Sequence, residues 1–425
     1  MSQRCNCRFY RGGLNIKLFE HQVKVLAQTK EHNKVAYYLD MGLGKTFVGS
    51  EKLIDLNTPY NLLICPKSKI DDWKEHFIKY YELDVIVYNK PQDIKSNSII
   101  IINYDKAFRR LELLQLKDFT LMLDESSYIK NESAKRTKFI LKLQPKNVIL
   151  LSGTPTGGKY EELWSQLHLL GWSISKKLYY KHYIITDWLD GIYVPIIKGY
   201  KNVERLKDKL REHGAIFMKT EEVIDLPQQV DIPINIKNTS DYRKFNKNGI
   251  ININNNELVG DMTLTKLLYL RQLAGFYNKN KLNKLKEILS STEDRVIVFY
   301  NFKQEYEAIK VICEKLSKPI SIINGEIKDL ANYDKFENTV VLIQYQAGSM
   351  GINLQKSNKI IYFTLPLSSE MFEQSKKRTH RIGQERTCFY YYLITQNTVE
   401  EKILSTLEMR KDYTDKLFKE SEKNE

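Results

Sequence analysis

Nothing in this 425-residue chain is apolar for long enough to cross a bilayer. Its longest apolar runs, such as Ser98 to Ile102 and Val148 to Leu151, fall far short of the ~20 residues that a spanning helix needs, so no membrane partner is expected. The first residues, MSQRCNCRFYRGG, hold no apolar core of the kind a secretory signal carries, and export is not expected either. Cysteine is scarce. Cys5, Cys7, Cys65, Cys313 and Cys388 are odd in number and mostly scattered, which excludes a disulfide framework and points to a reducing, cytoplasmic setting. Cys5 and Cys7 have no second CxxC or HxxxH at a zinc-like distance, so no structural zinc is expected. Tandem repeats are missing as well.

What remains is a folded chain with a strong charge. Hydrophobic residues make up 42% and charged residues 28%, close to globular averages, which excludes a wholly disordered, collagenous or coiled-coil protein. The length suits two or three domains. Lys and Arg number 66 against 52 Asp and Glu, a net charge of +14. Such an excess favours an acidic polymer as partner, because cations that replace phosphate counterions release them to solution.

Short β-branched or aromatic runs alternate with charged stretches of helical spacing. The runs Val35 to Leu39, Asn61 to Cys65, Ser98 to Asn103, Phe119 to Leu123 and Asn147 to Leu151 form one series. Arg295 to Tyr300, Ile320 to Ile323, Thr339 to Ile343, Lys359 to Phe363 and Cys388 to Ile394 form a second. The intervening helical patterns include Asp71 to Tyr81 and Ala134 to Leu143. This rhythm predicts an α/β chain with two lobes, each a parallel sheet covered on both faces. Residues 158 to 280 lose the strand rhythm and read as helical insertions, with Asn246 to Glu257 as an exposed or disordered tip. The lobe boundary is expected near Leu226-Pro227, giving lobes 1–225 and 226–425, with insertions near 158–220 and 235–280. Thr398 to Glu425 reads as a charged amphipathic helix ending in a frayed acidic terminus.

Three segments of the first series carry chemistry. Asp40-Met41-Gly42-Leu43-Gly44-Lys45-Thr46 follows a strand and precedes a helix. Glycines there let backbone N–H groups and a helix start surround phosphate, while Lys45 reaches β and γ oxygens and Thr46 can hold Mg²⁺. Leu39 occupies the first glycine position of the full phosphate-loop pattern. Asp124-Glu125 ends another apolar strand, where Asp124 suits water-mediated Mg²⁺ binding and Glu125 suits activation of an attacking water. On its own such a pair also reads as a solvated turn. Ser152-Gly153-Thr154-Pro155 ends a third strand; Ser152 and Thr154 can sense a γ-phosphate and couple it to another surface, or simply form a βα turn with a capping serine.

In this order, Gln22 within LFEHQ, DMGLGKT at 40–46, CPKSKIDDWKEHF at 65–77, INYD at 102–105, LDES at 123–126 and LSGTPTGG at 151–158 resemble the superfamily 2 helicase-like ATPases. Downstream, YEELW at 160–164, LRQL at 270–273, Val296 to Phe302, QAGSMGINL at 346–354 and QSKKRTHRIGQ at 374–384 resemble the Swi/Snf-type group, over about residues 16 to 408. The resemblance implies two RecA-like lobes with ATP between them and DNA across both. It implies that Gln22 reads the adenine edge, that Arg378 and Arg381 are arginine fingers, and that Gln374 takes part in coupling. Without it, Arg378 to Arg381 reads first as an ordinary basic helix face. Gly348, Gly351 and Asn353 suit a loop where backbone approaches nucleotide or phosphodiester, or a plain turn.

DNA contacts are expected from Lys67, Ser68, Asn103, Tyr104, Gly348 and Asn353, with Trp73 either stacking on a base or lying in the core. Departures from the group are Asp40 in place of glutamate, Ser126-Ser127 in place of Ala-His or Gly-His, and Lys219 in place of arginine. The resulting expectation is a DNA-dependent ATPase that uses ATP and Mg²⁺ and translocates on duplex or branched DNA. A strand-separating helicase or RNA-dependent ATPase is the alternative of the same class, and a nucleotide-gated DNA-binding switch the alternative of another. With no recognisable targeting module in the sequence, targeting is expected from a protein partner or from DNA structure. The Lys/Asn/Ile-rich composition suggests the cytoplasm of a bacterial cell or phage-infected host.

Overall fold

The computed structural model describes residues 16–187, 196–253, 256–346 and 353–418. These form two compact units, one from the residues up to Asp225 together with those from Asp412 onward, the other from Leu226 to Lys411.

In the first unit, β1 (Lys34–Leu39), β2 (Tyr60–Cys65), β3 (Val85–Val87), β4 (Ser98–Asn103), β5 (Phe119–Asp124) and β6 (Asn147–Ser152) alternate with α1 (Glu20–Gln28), α2 (Lys45–Leu56), α3 (Ile70–Tyr81), α4 (Tyr104–Ala107) and α5 (Lys135–Ile140). After them come α6 (Trp164–Leu169), α7 (Lys176–Tyr183), β7 (Ile184–Asp187), β8 (Ile196–Tyr200), α8 (Val203–Glu212) and β9 (Ala215–Met218). Seven strands pair in the order β3-β4-β2-β5-β6-β1-β9, and all of these pairings are parallel. A strand's period of two explains why the central runs are apolar throughout. Ala36, Tyr38, Leu62, Ile64, Leu121, Leu123, Val148 and Leu150 enter the core on one face, and Val35, Tyr37, Leu63, Met122, Ile149 and Leu151 enter the core on the other.

The second unit contains β10 (Gln229–Ile236), α9 (Ser240–Asn248), β11 (Ile250–Ile253), β12 (Asn256–Val259), α10 (Thr263–Ala274) and α11 (Lys279–Ser290). It continues through β13 (Val296–Tyr300), α12 (Lys303–Lys315), β14 (Ile320–Ile323), β15 (Lys328–Asp329), α13 (Ala331–Lys335), β16 (Val340–Gln344), β17 (Lys359–Tyr362), α14 (Ser369–Lys376), β18 (Cys388–Thr395) and α15 (Val399–Phe418), whose residues from Asp412 onward belong to the first unit. Its seven strands run β10-β18-β17-β13-β16-β14-β15, parallel except for the β14–β15 hairpin. Pro233 sits in β10, an edge strand, where a missing N–H costs no ladder bond.

The segment from 158 to 280 is not purely helical. It holds the antiparallel hairpins β7–β8 and β11–β12 and the edge strands β9 and β10. Asn246 to Glu257, expected as an exposed tip, instead ends α9 at Gly249, whose φ is +75°, and forms most of the β11–β12 hairpin. Ile251 and Ile253 alternate with Asn252 and pack beside Phe245 and Leu258, a period-two pattern hidden by the polar composition. The final helix is described as far as Phe418; the terminus expected to fray lies outside the described residues.

A buried polar network supports the carboxyl end of β13. Glu305 accepts hydrogen bonds from the Asn301 and Phe302 amides at 2.8 and 3.1 Å and from the Thr364 hydroxyl at 2.9 Å. Nearby, Lys281 and Glu400 form a fully buried ion pair at 2.5 Å. Burial pushes the Glu305 carboxyl from its usual 4.5 up to about 7, against those hydrogen bonds and the charge of Lys281. Between these two values the folded chain holds a proton that the unfolded chain has lost. The associated stability is complete below pH 4.5 and disappears as pH rises through about 7. Glu305→Gln is therefore expected to flatten the pH dependence of urea unfolding across this window, by on the order of 1–3 kcal/mol. A slope equal to that of the unaltered chain would contradict it.

Candidate functional site

Parallel register places the chemical residues of the first unit along one edge. Leu123 pairs with Leu150 and Asp124 with Leu151 between β5 and β6, while Tyr38 pairs with Ser152 between β1 and β6. The loop after β1, the acidic pair after β5 and Ser152 at the end of β6 are thus neighbours at the carboxyl ends of adjacent strands. In open parallel sheets this is where ligands bind.

The loop from Asp40 to Gly44 needs its glycines at two places. Gly42 and Gly44 have φ of +91° and +74°, and a Cβ on Gly44 would come within 2.0 Å of the Gln22 amide nitrogen. Gln22 is buried and bridges two segments: its Oε1 accepts from the Phe19 amide at 2.9 Å and its Nε2 donates to the Leu43 carbonyl at 3.2 Å. Met41 is half-buried and Leu43 fills the core. α2 begins at Lys45, so its unpaired amides open toward the loop. Lys45 donates to the carbonyls of Leu39 and Asp40 at 2.8 and 3.1 Å, and a Cβ on Gly153 would lie 3.4 Å from its Nζ. The lysine of the first loop and the Ser152-Gly153-Thr154 loop therefore meet. Gly49 makes that approach possible, since a Cβ there would come 2.9 Å from Leu151. Asp40 ties the loop to the chain after β9 by accepting from the Thr220 amide and hydroxyl at 3.3 and 3.4 Å.

Asp124 is held from two sides. Its Oδ2 accepts from the Trp73 indole at 2.8 Å and its Oδ1 from the Glu125 amide at 3.1 Å. Burial raises its pKa, while the Trp73 bond and the charges of Lys69 and Lys45 pull it down. Each carboxylate oxygen keeps a second lone pair. With the Thr46 hydroxyl this is a set of hard oxygen donors, which fits Mg²⁺, a cation held by one or two carboxylates plus substrate phosphates. Glu125 has φ of +53°, a conformation that costs a non-glycine residue about 1–2 kcal/mol and persists only where surroundings impose it. The Tyr104 hydroxyl, donating to the Asp124 carbonyl at 2.9 Å, and the Tyr128 amide, donating to the Glu125 carbonyl at 2.9 Å, are part of that restraint. Ser152 is buried and its hydroxyl accepts from the Thr154 amide at 3.1 Å, so the two residues expected to sense phosphate fix each other.

In the second unit, Arg378 and Arg381 lie in the turn that follows α14. Arg378 is buried, and burial lowers the pKa of Arg381, as expected for a guanidinium taken partly out of water. Anchors surround them. Lys376 pairs with Asp231 at 3.1 Å among the rings of Phe372, Tyr390 and Tyr392. His380 meets the Pro227 carbonyl through Nε2 at 2.8 Å and the Gln229 amide through Nδ1 at 3.0 Å, which fixes the tautomer with the proton on Nε2. Pro227, Gln229 and Asp231 are two residues apart, so the turn is pinned along the start of β10. Gln384 closes it by donating to the carbonyls of Gln355, Ser357 and Thr379.

The SNF2-related domain matches residues 20–295, well over half of the chain, and the Helicase conserved C-terminal domain matches residues 280–383. The chain belongs to the SNF2-related family. Among its relatives, the "Putative ATP-dependent helicase/translocase YwqA" of Bacillus subtilis is 25% identical, across 89% of this chain and 46% of that protein. The "ISWI chromatin-remodeling complex ATPase ISW2" of Saccharomyces cerevisiae is 24% identical, across 91% and 40%. The chain spans less than half the length of these two relatives. A solved structure described as "Sulfolobus solfataricus SWI2/SNF2 ATPase core in complex with dsDNA" is similar over 98% of this chain and 96% of that one, at 24% identity and a TM-score of 0.47.

Within this SNF2-related chain the residues expected at DNA are not equally placed. Lys67 and Ser68 are exposed in a turn just after β2, and Asn353 is exposed with its Oδ1 accepting from the Gln355 amide. Asn103 and Tyr104, also expected at DNA, are 5% and 1% exposed. Asn103 caps α4 by accepting from the Lys106 amide at 2.9 Å, and Tyr104 braces the acidic pair. β4 is buried at every position and runs straight into α4, which turns both side chains inward. Trp73 is also a core residue, stacked on Phe77, but one with a polar task at Asp124. Gln374 is half-buried on α14, and Gly348 and Gly351 lie outside the described residues. Sequence reasoning missed Gln166, a buried amide joining β1 to the turns after β5 and β6, and missed the anchoring of the arginine turn by β10.

Gly44→Ala is expected to destabilise the chain by about 1–3 kcal/mol through left-handed strain and displacement of Gln22. Gln22→Ala should relieve only the second part. Urea unfolding of both single variants and the double variant checks this, with a double cost below the sum expected and strict additivity contradicting the Gly44–Gln22 contact.

Proposed function

We propose that the chain is an ATP-hydrolysing motor that acts on DNA, above all duplex DNA, translocating along it or remodelling DNA structures or DNA–protein complexes. The observation that carries this reading is the convergence of Lys45, Asp124, Glu125 and the Ser152 loop on one sheet edge, in a family whose relatives are named as ATP-dependent helicases, translocases and remodelling ATPases.

In this reading the α2 amides and Lys45 hold the β- and γ-phosphates, and Gln22 lies against the base. Thr46 and Asp124 hold Mg²⁺, which when bound neutralises charge on the phosphate oxygens. Glu125 takes a proton from the attacking water as the new oxygen–phosphorus bond forms and the bond to the β-phosphate bridging oxygen breaks, leaving ADP and phosphate. Arg378 and Arg381 stabilise the charge spread over the transferring group. Because they belong to the second unit, turnover is tied to motion of one unit against the other, and that motion drives translocation. Ser152, Thr154 and Gln374 couple the phosphate to that motion.

Lys67, Ser68, Gly348 and Asn353 are proposed to meet the DNA backbone. The +14 charge supports binding that ignores sequence and weakens with salt. A protein partner or DNA structure supplies targeting, and the proposed site of action is the cytoplasm. Among the described residues no helix is long and apolar enough to cross a membrane.

Lys45→Ala is expected to abolish ATP turnover in a folded chain. Glu125→Gln should bind ATP yet turn over at least about 10²-fold more slowly. Arg381→Ala should lose about 10³-fold in kcat, with ATP affinity within a few-fold of the unaltered chain. Normal steady-state turnover by any of the three removes the role given to that residue. Displacement of a triplex-forming strand without opening of a forked duplex is the result expected for a translocase; opening of the fork without triplex displacement would replace that reading with strand separation.

A further inference from the structure

α6 contributes a residue that the motifs do not contain. Gln166 is fully buried. Its Oε1 accepts two hydrogen bonds, from the Tyr38 hydroxyl at 3.0 Å and from the Ser126 hydroxyl at 2.8 Å, and its Nε2 donates to the Pro155 carbonyl at 2.8 Å. Tyr38 stands two residues before Asp40 on β1, Ser126 directly follows Glu125, and Pro155 directly follows Thr154. One amide thus touches the last of the three chemical segments of the first unit and the chain next to the other two. Burial raises the Tyr38 pKa far above its usual value, so that hydroxyl remains a donor. Both lone pairs of the amide oxygen are then in use, and no other side chain of this size offers two acceptor sites and a donor in the same plane without first binding a proton.

We infer that Gln166 is a positioning residue for hydrolysis, which locks the strained turn carrying Glu125 to the loop after Ser152 and to β1, so that these segments move as one body. The inference rests on the proposed function and adds a residue to it. Glu125 is held in the left-handed region from both sides, by Tyr104 on the Asp124 carbonyl and, through Ser126, by Gln166. A shift of the Pro155 loop stretches the Nε2 bond and, through the same rigid amide, the bond to Ser126. The carboxylate that activates water is in this way linked to the loop that faces Lys45. Gln166 touches no reacting atom, so its effect belongs in kcat rather than in ATP affinity.

The test is ATP hydrolysis at saturating duplex DNA by the full chain and by Gln166→Leu, Gln166→Glu and Ser126→Ala, with rates referred to folded protein by thermal unfolding. Gln166→Leu fills the same space without the three bonds and is expected to lower kcat 10- to 100-fold while KM for ATP stays within about threefold. Ser126→Ala, which leaves the Tyr38 and Pro155 bonds intact, should lower kcat in the same direction. The Ser126→Ala change should add little when combined with Gln166→Leu. In Gln166→Glu an ionised carboxylate faces the Pro155 carbonyl, so kcat relative to the unaltered chain should rise as pH falls and the buried group gains a donating proton. A purely structural role would lower thermal stability and leave kcat per folded molecule, and its pH profile, unchanged. That outcome, or a rise in KM alone, overturns the inference while the proposed function stands. If Gln166→Leu does not fold, Ser126→Ala decides. An unaltered chain that hydrolyses no ATP overturns the proposed function and this inference together.

Discussion

Parallel pairing of β5, β6 and β1 is the constraint on which the candidate site depends. Parallel strands cannot be joined by tight turns; each must return over the sheet, so every carboxyl end emerges on the same edge. The core on both faces then fixes the register, because a slip of one residue would exchange Leu121, Leu123, Val148 and Leu150 with Met122, Ile149 and Leu151. Asp124 cannot move along its strand without moving that core. The same argument sets the glycine loop beside Ser152, and Gly49 sets how closely α2 approaches them.

On this edge, support comes from residues far away in the chain. Trp73 reaches Asp124 across 51 positions, and Tyr38 reaches Gln166 across 128. α3, which carries Trp73, starts immediately after the Lys67–Lys69 turn, so the exposed Lys67 and Ser68 proposed to meet DNA lead directly to a side chain that holds a carboxylate. In the second unit the arginine turn is fixed to the first residues of β10, the strand with which that unit begins. Each arrangement gives its own unit rigidity at a point where the side chains would otherwise hang on a loop.

Much of the fold was legible because strands buried on both faces appear as uninterrupted apolar runs. β1, β2, β4, β5, β6, β13, β16 and β17 all have that form. β10 was not legible, since an edge strand with Pro233 and alternating polar residues resembles a linker, and β11–β12 was hidden by asparagines that occupy its solvent side. The loop at Gly44-Lys45 was visible because its requirement is local, a backbone that only glycine adopts with ease followed by a helix start. Asn103 and Tyr104 were assigned to DNA by motif position; burial of β4 was readable from its isoleucines, but not its abrupt passage into α4. Gln166 carries no local signal at all. A glutamine among leucines on a short helix reads as polar decoration until its three partners are brought together by the sheet.

Steady-state ATP hydrolysis with Mg²⁺, measured without nucleic acid and then with duplex, single-stranded or forked DNA or RNA at two salt concentrations, tests the proposed motor activity directly. The expected result is strong stimulation by duplex DNA that weakens as salt rises. Stimulation by RNA or single strands alone, or no hydrolysis under any of these conditions, would contradict it.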